Sequence, residues 1–149
     1  MQAAIDEAIQ NIKKGGGPFG AVIVKDEEII SCCGNRVTQD NDPTAHAEVL
    51  AIREATKKLG TWDLSDCVIY SSCEPCPMCL GAIYWAHIPV IYYGANREDA
   101  KNAGFDDSFI YEEISKSPEQ RKAKMHNVLR EKALEGFDAW IALPDKELY

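Results

Sequence analysis

Two short stretches of the chain carry residue types that hold a metal ion and move protons. His46-Ala47-Glu48 sets an imidazole and a carboxylate two residues apart, and Pro75-Cys76-Pro77-Met78-Cys79 sets two thiols three residues apart. Cysteines at that spacing on a helix start point both sulfurs at one ion, and the partial positive charge there favours the thiolates that bind metal. One His and two Cys suit Zn²⁺, and three protein ligands leave a fourth position open, as in a catalytic rather than a structural site. Water in that position has its pKa lowered to about 7. A base must then carry protons between water and substrate, and Glu48 is the natural candidate. Two plainer readings stay open. C-x-x-C is also a redox motif, and Glu48 is also a first-turn acid that favours a helix dipole.

The other cysteines complicate the count. Cys73, Cys76 and Cys79 begin like a ferredoxin run, but position 83, where the next cysteine would stand, is Ile83. Cys73 could also close the metal site as a fourth ligand, which would make it a structural centre. Cys32, Cys33 and Cys67 fall on or beside apolar runs and read as small buried hydrophobes.

The elements that must position these residues follow from spacing. Ala4, Ile5, Ala8, Ile9 and Ile12 predict an amphipathic helix over 1–14. Residues 21–24 and 28–32 flank Asp26-Glu27 and predict a hairpin. Residues 34–41 read as a polar loop. Asp42-Pro43 predicts the start of a helix that runs to Leu59, with Gly60 ending it, so that His46 sits in its first turn. A strand is expected at 67–70, a helix from Cys76-Pro77 to Ala86 and a strand at 88–93. Two helix starts can then converge on one ion. Residues 105–114 predict a short helix, Ser117-Pro118 a helix start, and 136–143 a short apolar segment. Strands alternating with helices predict α/β layers around a partly parallel sheet.

The chain has 149 residues, a length that fits one domain over 1–149. Asp and Glu outnumber Lys and Arg by 24 to 16, a formal charge of −8, which argues against a nucleic-acid partner because such partners are met by basic patches. The first residues lack a basic segment followed by an apolar core, and no 18-residue apolar run is present. A membrane partner is therefore not expected, and the cytoplasm is the expected location. There, clustered cysteines are read as ligands or thiols rather than as disulfides.

The order H-x-E, then P-C-x-x-C, is the known signature of zinc-dependent nucleobase deaminases. At these residues the chain resembles the cytidine deaminase-like superfamily. Within it, the chain is similar over nearly its whole length to the bacterial guanine deaminases. The matching stretches are 16–22, 41–48, 72–85 and 104–111, the last reading Gly104-Phe105-Asp106-Asp107-Ser108-Phe109-Ile110-Tyr111. The first three are shared in varying degree with tRNA adenosine deaminases and fungal-type cytosine deaminases. The fourth, with the terminal Tyr149, points to guanine.

The resemblance implies a three-layer α/β/α fold with a mixed five-stranded sheet. It implies a homodimer whose C-terminal tails, about 136–149, are exchanged. It further implies hydrolysis of guanine to xanthine and ammonia, by attack of water at C2, with one zinc per subunit. His46, Cys76 and Cys79 would ligate the zinc and Glu48 would shuttle protons. Asp107 would assist near the leaving amine. Asn35 would bind the purine, with Phe19, Ala47, Trp85 and Tyr149 completing the pocket. His87 departs from the family, where Arg is common, and residues 116–135 match poorly. The open rivals are a tRNA adenosine deaminase, a deaminase of guanosine, cytosine or an aminotriazine, and a closed structural zinc protein.

Overall fold

Helix α1 (Gln2–Lys13) forms where the apolar residues recur at helical spacing, and it buries Ala4, Ala8 and Asn11. The expected hairpin follows. Strands β1 (Gly20–Lys25) and β2 (Glu28–Gly34) pair antiparallel around Asp26 and Glu27. Those two residues have φ of 49° and 66°, the left-handed turn that matches the twist of the strands. Strand β3 (Val68–Cys73) pairs antiparallel with β1, and β4 (Val90–Ala95) runs parallel to β3, giving the order β2-β1-β3-β4. These elements belong to a compact unit, Met1–Ser108, in a computed structural model that describes residues 1–148.

Alternation along the strands sends side chains to two layers. Ala21, Ile23 and Ile69 face helix α3 (Ala47–Leu59) and join Ala47, Ala51, Ala55 and Ile83 in the core. The opposite face carries α1. Gly20 lies directly beneath it, where a Cβ would overlap Ala4 O and Ala8 N. Helix α4 (Pro77–Trp85) packs beside α3 and buries Cys79 and Ile83.

Three expectations need correction. The sheet has four strands among the described residues, not five. After β4 the side chain of Asn96 accepts from the Glu98 and Asp99 amides while Asp99 returns a bond to the Asn96 amide. This capping box turns the chain into helix α5 (Arg97–Asn102), and the described residues beyond it form helices and turns with no further strand. Second, α3 begins at Ala47 rather than at Asp42. The Asp42 carboxylate accepts from Thr44 N and Oγ1 instead of capping a helix, and His46 takes the extended N-cap conformation. Third, the polar segment after β2 contains a single helical turn, α2 (Val37–Asp40), closed by Asn41 at φ 51°.

The second unit starts at Phe109. It contains most of α6 (Ser108–Ser115), a 3₁₀ turn at Pro118–Gln120, and α7 (Arg130–Ala142). The Glu113 carboxylate accepts from Lys116 Nζ and from the Lys122 amide, and Lys122 Nζ lies 5.4 Å from the centre of the Phe109 ring. The helix α7 is longer than the apolar stretch expected at 136–143. No helix among the described residues is long and apolar enough to cross a membrane.

Candidate metal centre and active site

The two helix starts meet at one point. His46 is the N-cap of α3 and Cys76 the N-cap of α4, with Pro77 at the position after it, where the fixed φ of proline suits a helix start. Cys79 lies in the first turn of α4. Its Sγ is 3.6 Å from Cys76 Sγ and 3.4 Å from His46 Nδ1, and Cys76 Sγ is 3.6 Å from the same nitrogen. The ligand atoms of the three residues lie within 4.8 Å of one another.

One borderline nitrogen and two soft sulfurs are the donor set that Zn²⁺ prefers, so the residues fit that ion. Electrostatics agree. The hydrogen bond with Cys79, and then that with His46, pull the Cys76 thiol down to about 4. The Cys76 sulfur in turn raises both His46 and Cys79, with burial adding to the rise at Cys79.

Cys73 is not in this cluster. It ends β3 as a buried thiol whose Sγ lies 3.7 Å from Asn96 O, and burial pushes it up to about 11. Among the described residues the cluster is His46, Cys76 and Cys79, the three-ligand count typical of a catalytic rather than a closed structural zinc site.

Glu48 lies under the ligands, only 6% exposed. Its Oε1 accepts from Ser71 Oγ at 3.0 Å, and its Oε2 is 3.3 Å from Cys79 Sγ. Burial pushes its carboxyl up, above the ordinary carboxylate range. Asp107 is partly buried, and burial together with the charge on Cys76 raises its carboxyl too.

Asn35, next after β2, is buried. Its backbone N donates to Phe19 O at 3.0 Å, its Oδ1 accepts from Val37 N at 3.2 Å, and its own carbonyl accepts from Asn11 Nδ2 at 2.6 Å. The side-chain oxygen is thereby engaged, which leaves the amide nitrogen to offer a ligand. Phe19 packs edge-on against Phe105 at 4.9 Å and against the core. Ala47 is fully buried in the core. Trp85 ends α4 and is 67% exposed. Tyr149 lies outside the described residues.

Two residues with no assigned part in the sequence reading stand next to the site. Ser71 is one. The signal for it was strand parity, since Ile69 and Ser71 alternate onto the face that meets α3. Asn11 is the other. Its side chain, 3% exposed, bridges the carbonyls of Gly17 and Asn35. A polar residue on the otherwise apolar inner face of an amphipathic helix is its only mark.

Comparison with known proteins gives a consistent picture. The model of the cytidine and deoxycytidylate deaminase zinc-binding region matches residues 1–95. The chain is 53% identical to a guanine deaminase of Bacillus subtilis over 150 aligned positions, covering all of this chain and 96% of that one. An X-ray structure of guanine deaminase from the same organism superposes with a TM-score of 0.96, covering 99% of this chain and 95% of the other. A tRNA-specific adenosine deaminase of Streptococcus pyogenes is 42% identical over 73% of this chain and 63% of its own length.

Proposed function

The chain belongs to the cytidine and deoxycytidylate deaminase family of zinc-binding enzymes, and from that premise we propose that it hydrolyses guanine to xanthine and ammonia. One observation carries the choice of guanine. The likeness to a guanine deaminase runs through the whole chain, whereas that to a tRNA adenosine deaminase stops at 73% of it. The net charge of −8 supports a free base over a polyanion.

In this reading His46, Cys76 and Cys79 hold one zinc per subunit. When bound, the metal supplies the Lewis acidity that makes water a nucleophile at neutral pH. The chain does the rest. Glu48 takes one proton from the attacking water and gives it to a ring nitrogen of the purine. It then takes the second proton from the hydroxyl now on C2 and, with Asp107, passes it to the amine, so that the C2=O bond forms as the C–N bond breaks and ammonia leaves. The Asn35 amide nitrogen donates to an acceptor on the purine edge. Phe19, Trp85 and the Ala47 backbone shape the pocket, and Tyr149 closes it.

We further propose that the enzyme works as a homodimer that exchanges its C-terminal segments. In support, α7 buries none of its residues, and Phe137, Ile141, Leu143 and Leu148 stand exposed, more apolar surface than a lone segment usually leaves to water. All six cysteines are free thiols, which supports a reducing compartment such as the cytoplasm. The test is direct: zinc-loaded protein incubated with guanine should produce xanthine, and absence of xanthine would overturn the substrate.

A further inference from the structure

We propose that Ser71 is a positioning residue for Glu48, pinning one carboxylate oxygen so that the other is held toward the metal ligands. The inference rests on the reading of Glu48 as proton carrier and deepens it. Ser71 Oγ donates to Glu48 Oε1 at 3.0 Å, and both side chains are buried, at 2% and 6% exposure. The opposite oxygen, Oε2, is the one 3.3 Å from Cys79 Sγ. The two oxygens of one carboxylate thus have different partners.

Ser71 is well placed to act as an anchor. It sits on β3, which is paired on both sides, opposite Ala21 of β1 and Tyr93 of β4, so its backbone is held by two ladders. Glu48 reaches the site from the first turn of α3 through three rotatable bonds. A serine hydroxyl has a single hydrogen to donate, and here it goes to Oε1. An apolar side chain at position 71 would leave a buried carboxyl oxygen without that donor and free the carboxylate to rotate. A displacement of order 1 Å in a catalytic group is costly in rate, because the reacting atoms must be aligned before reaction. Ser71 is not among the three candidate ligand residues and its hydroxyl is given to Glu48, so its effect passes through Glu48.

The test compares wild type with Ser71→Ala and Ser71→Thr, all zinc-loaded, on the aminopurine that wild type turns over fastest. The Ala variant is expected to lose about 10-fold in kcat, as for the loss of one hydrogen bond, with KM and zinc content within about twofold of wild type. The Thr variant, which keeps the hydroxyl, should recover at least half of wild-type kcat. A crystal structure of the Ala variant should find the Glu48 carboxylate turned from its wild-type position. Unchanged kcat, a Thr variant no better than Ala, or an unmoved Glu48 would each overturn the proposal. Failure of the guanine reading is distinguishable, since it appears as wild type inert toward guanine, while the position of Glu48 in the two crystals still reports on Ser71.

Discussion

Cys79 Sγ lies 3.3 Å from Glu48 Oε2, so a sulfur of the metal cluster and the candidate base meet at one buried point. The two nonetheless come from different helices, α4 and α3, and can be removed separately.

Glu48→Gln should retain one equivalent of zinc and lose about 10³-fold in kcat, within the usual range for a general acid–base group. Metal analysis and steady-state rates on the same preparation check this. Near-wild-type turnover would remove Glu48 from the chemistry.

Cys76→Ser and Cys79→Ser should each lose zinc together with activity, and a chelator should do the same to wild type reversibly. In the proposed site three ligands would hold the ion, so loss of one thiolate should weaken binding by orders of magnitude rather than by a small factor. Zinc titration against a chromophoric chelator measures the effect.

Asn11→Ala should destabilise the protein by about 1–3 kcal/mol, because the Asn35 carbonyl loses its donor in a buried place, while the Gly17 carbonyl keeps the Phe19 amide and loses one of two donors. It should also raise KM more than it lowers kcat, since Asn35 is held through its own carbonyl. Urea unfolding and initial rates supply both numbers.

Thiol reactivity should follow burial. Burial pushes Cys67 and Cys73 up to about 11, so at pH 8 only about one thiol in a thousand at these positions is ionised. Thiolate content rises with pH, so alkylation of native zinc-loaded protein should spare both residues at pH 8 and reach them as pH approaches 11. Cys32 is exposed and Cys33 half-buried, against the expectation that both are buried hydrophobes; only Cys67 of the three is buried, and Cys32 should be modified first. Peptide mass mapping reads the order.

The sequence was most legible where a local rule decides. The spacing of Ala4, Ile5, Ala8 and Ile9, the turn at Asp26-Glu27, and Pro77 after Cys76 each specify their element within a few residues. It was less legible where two rules compete. Asp42 reads as a helix cap, but its carboxylate is captured by Thr44, and the helix waits for His46. Asn96 closes β4 through a capping box that apolar periodicity does not register, so spacing alone does not show α5; the four strands read from spacing match the sheet, and the fifth is implied only by the resemblance. In the site, His46, Cys76 and Cys79 were legible by residue type and spacing. Ser71 and Asn11 were not, because serine and asparagine carry no signature of their own. Their importance arises from strand parity and from which carbonyls a helix happens to cover.

The most direct measurement is ammonia release by the zinc-loaded protein from equal concentrations of guanine, guanosine, adenine, cytosine and a tRNA. The account predicts kcat/KM for guanine at least 100-fold above every other substrate. Comparable or faster release from adenosine in tRNA, or from cytosine, would contradict it.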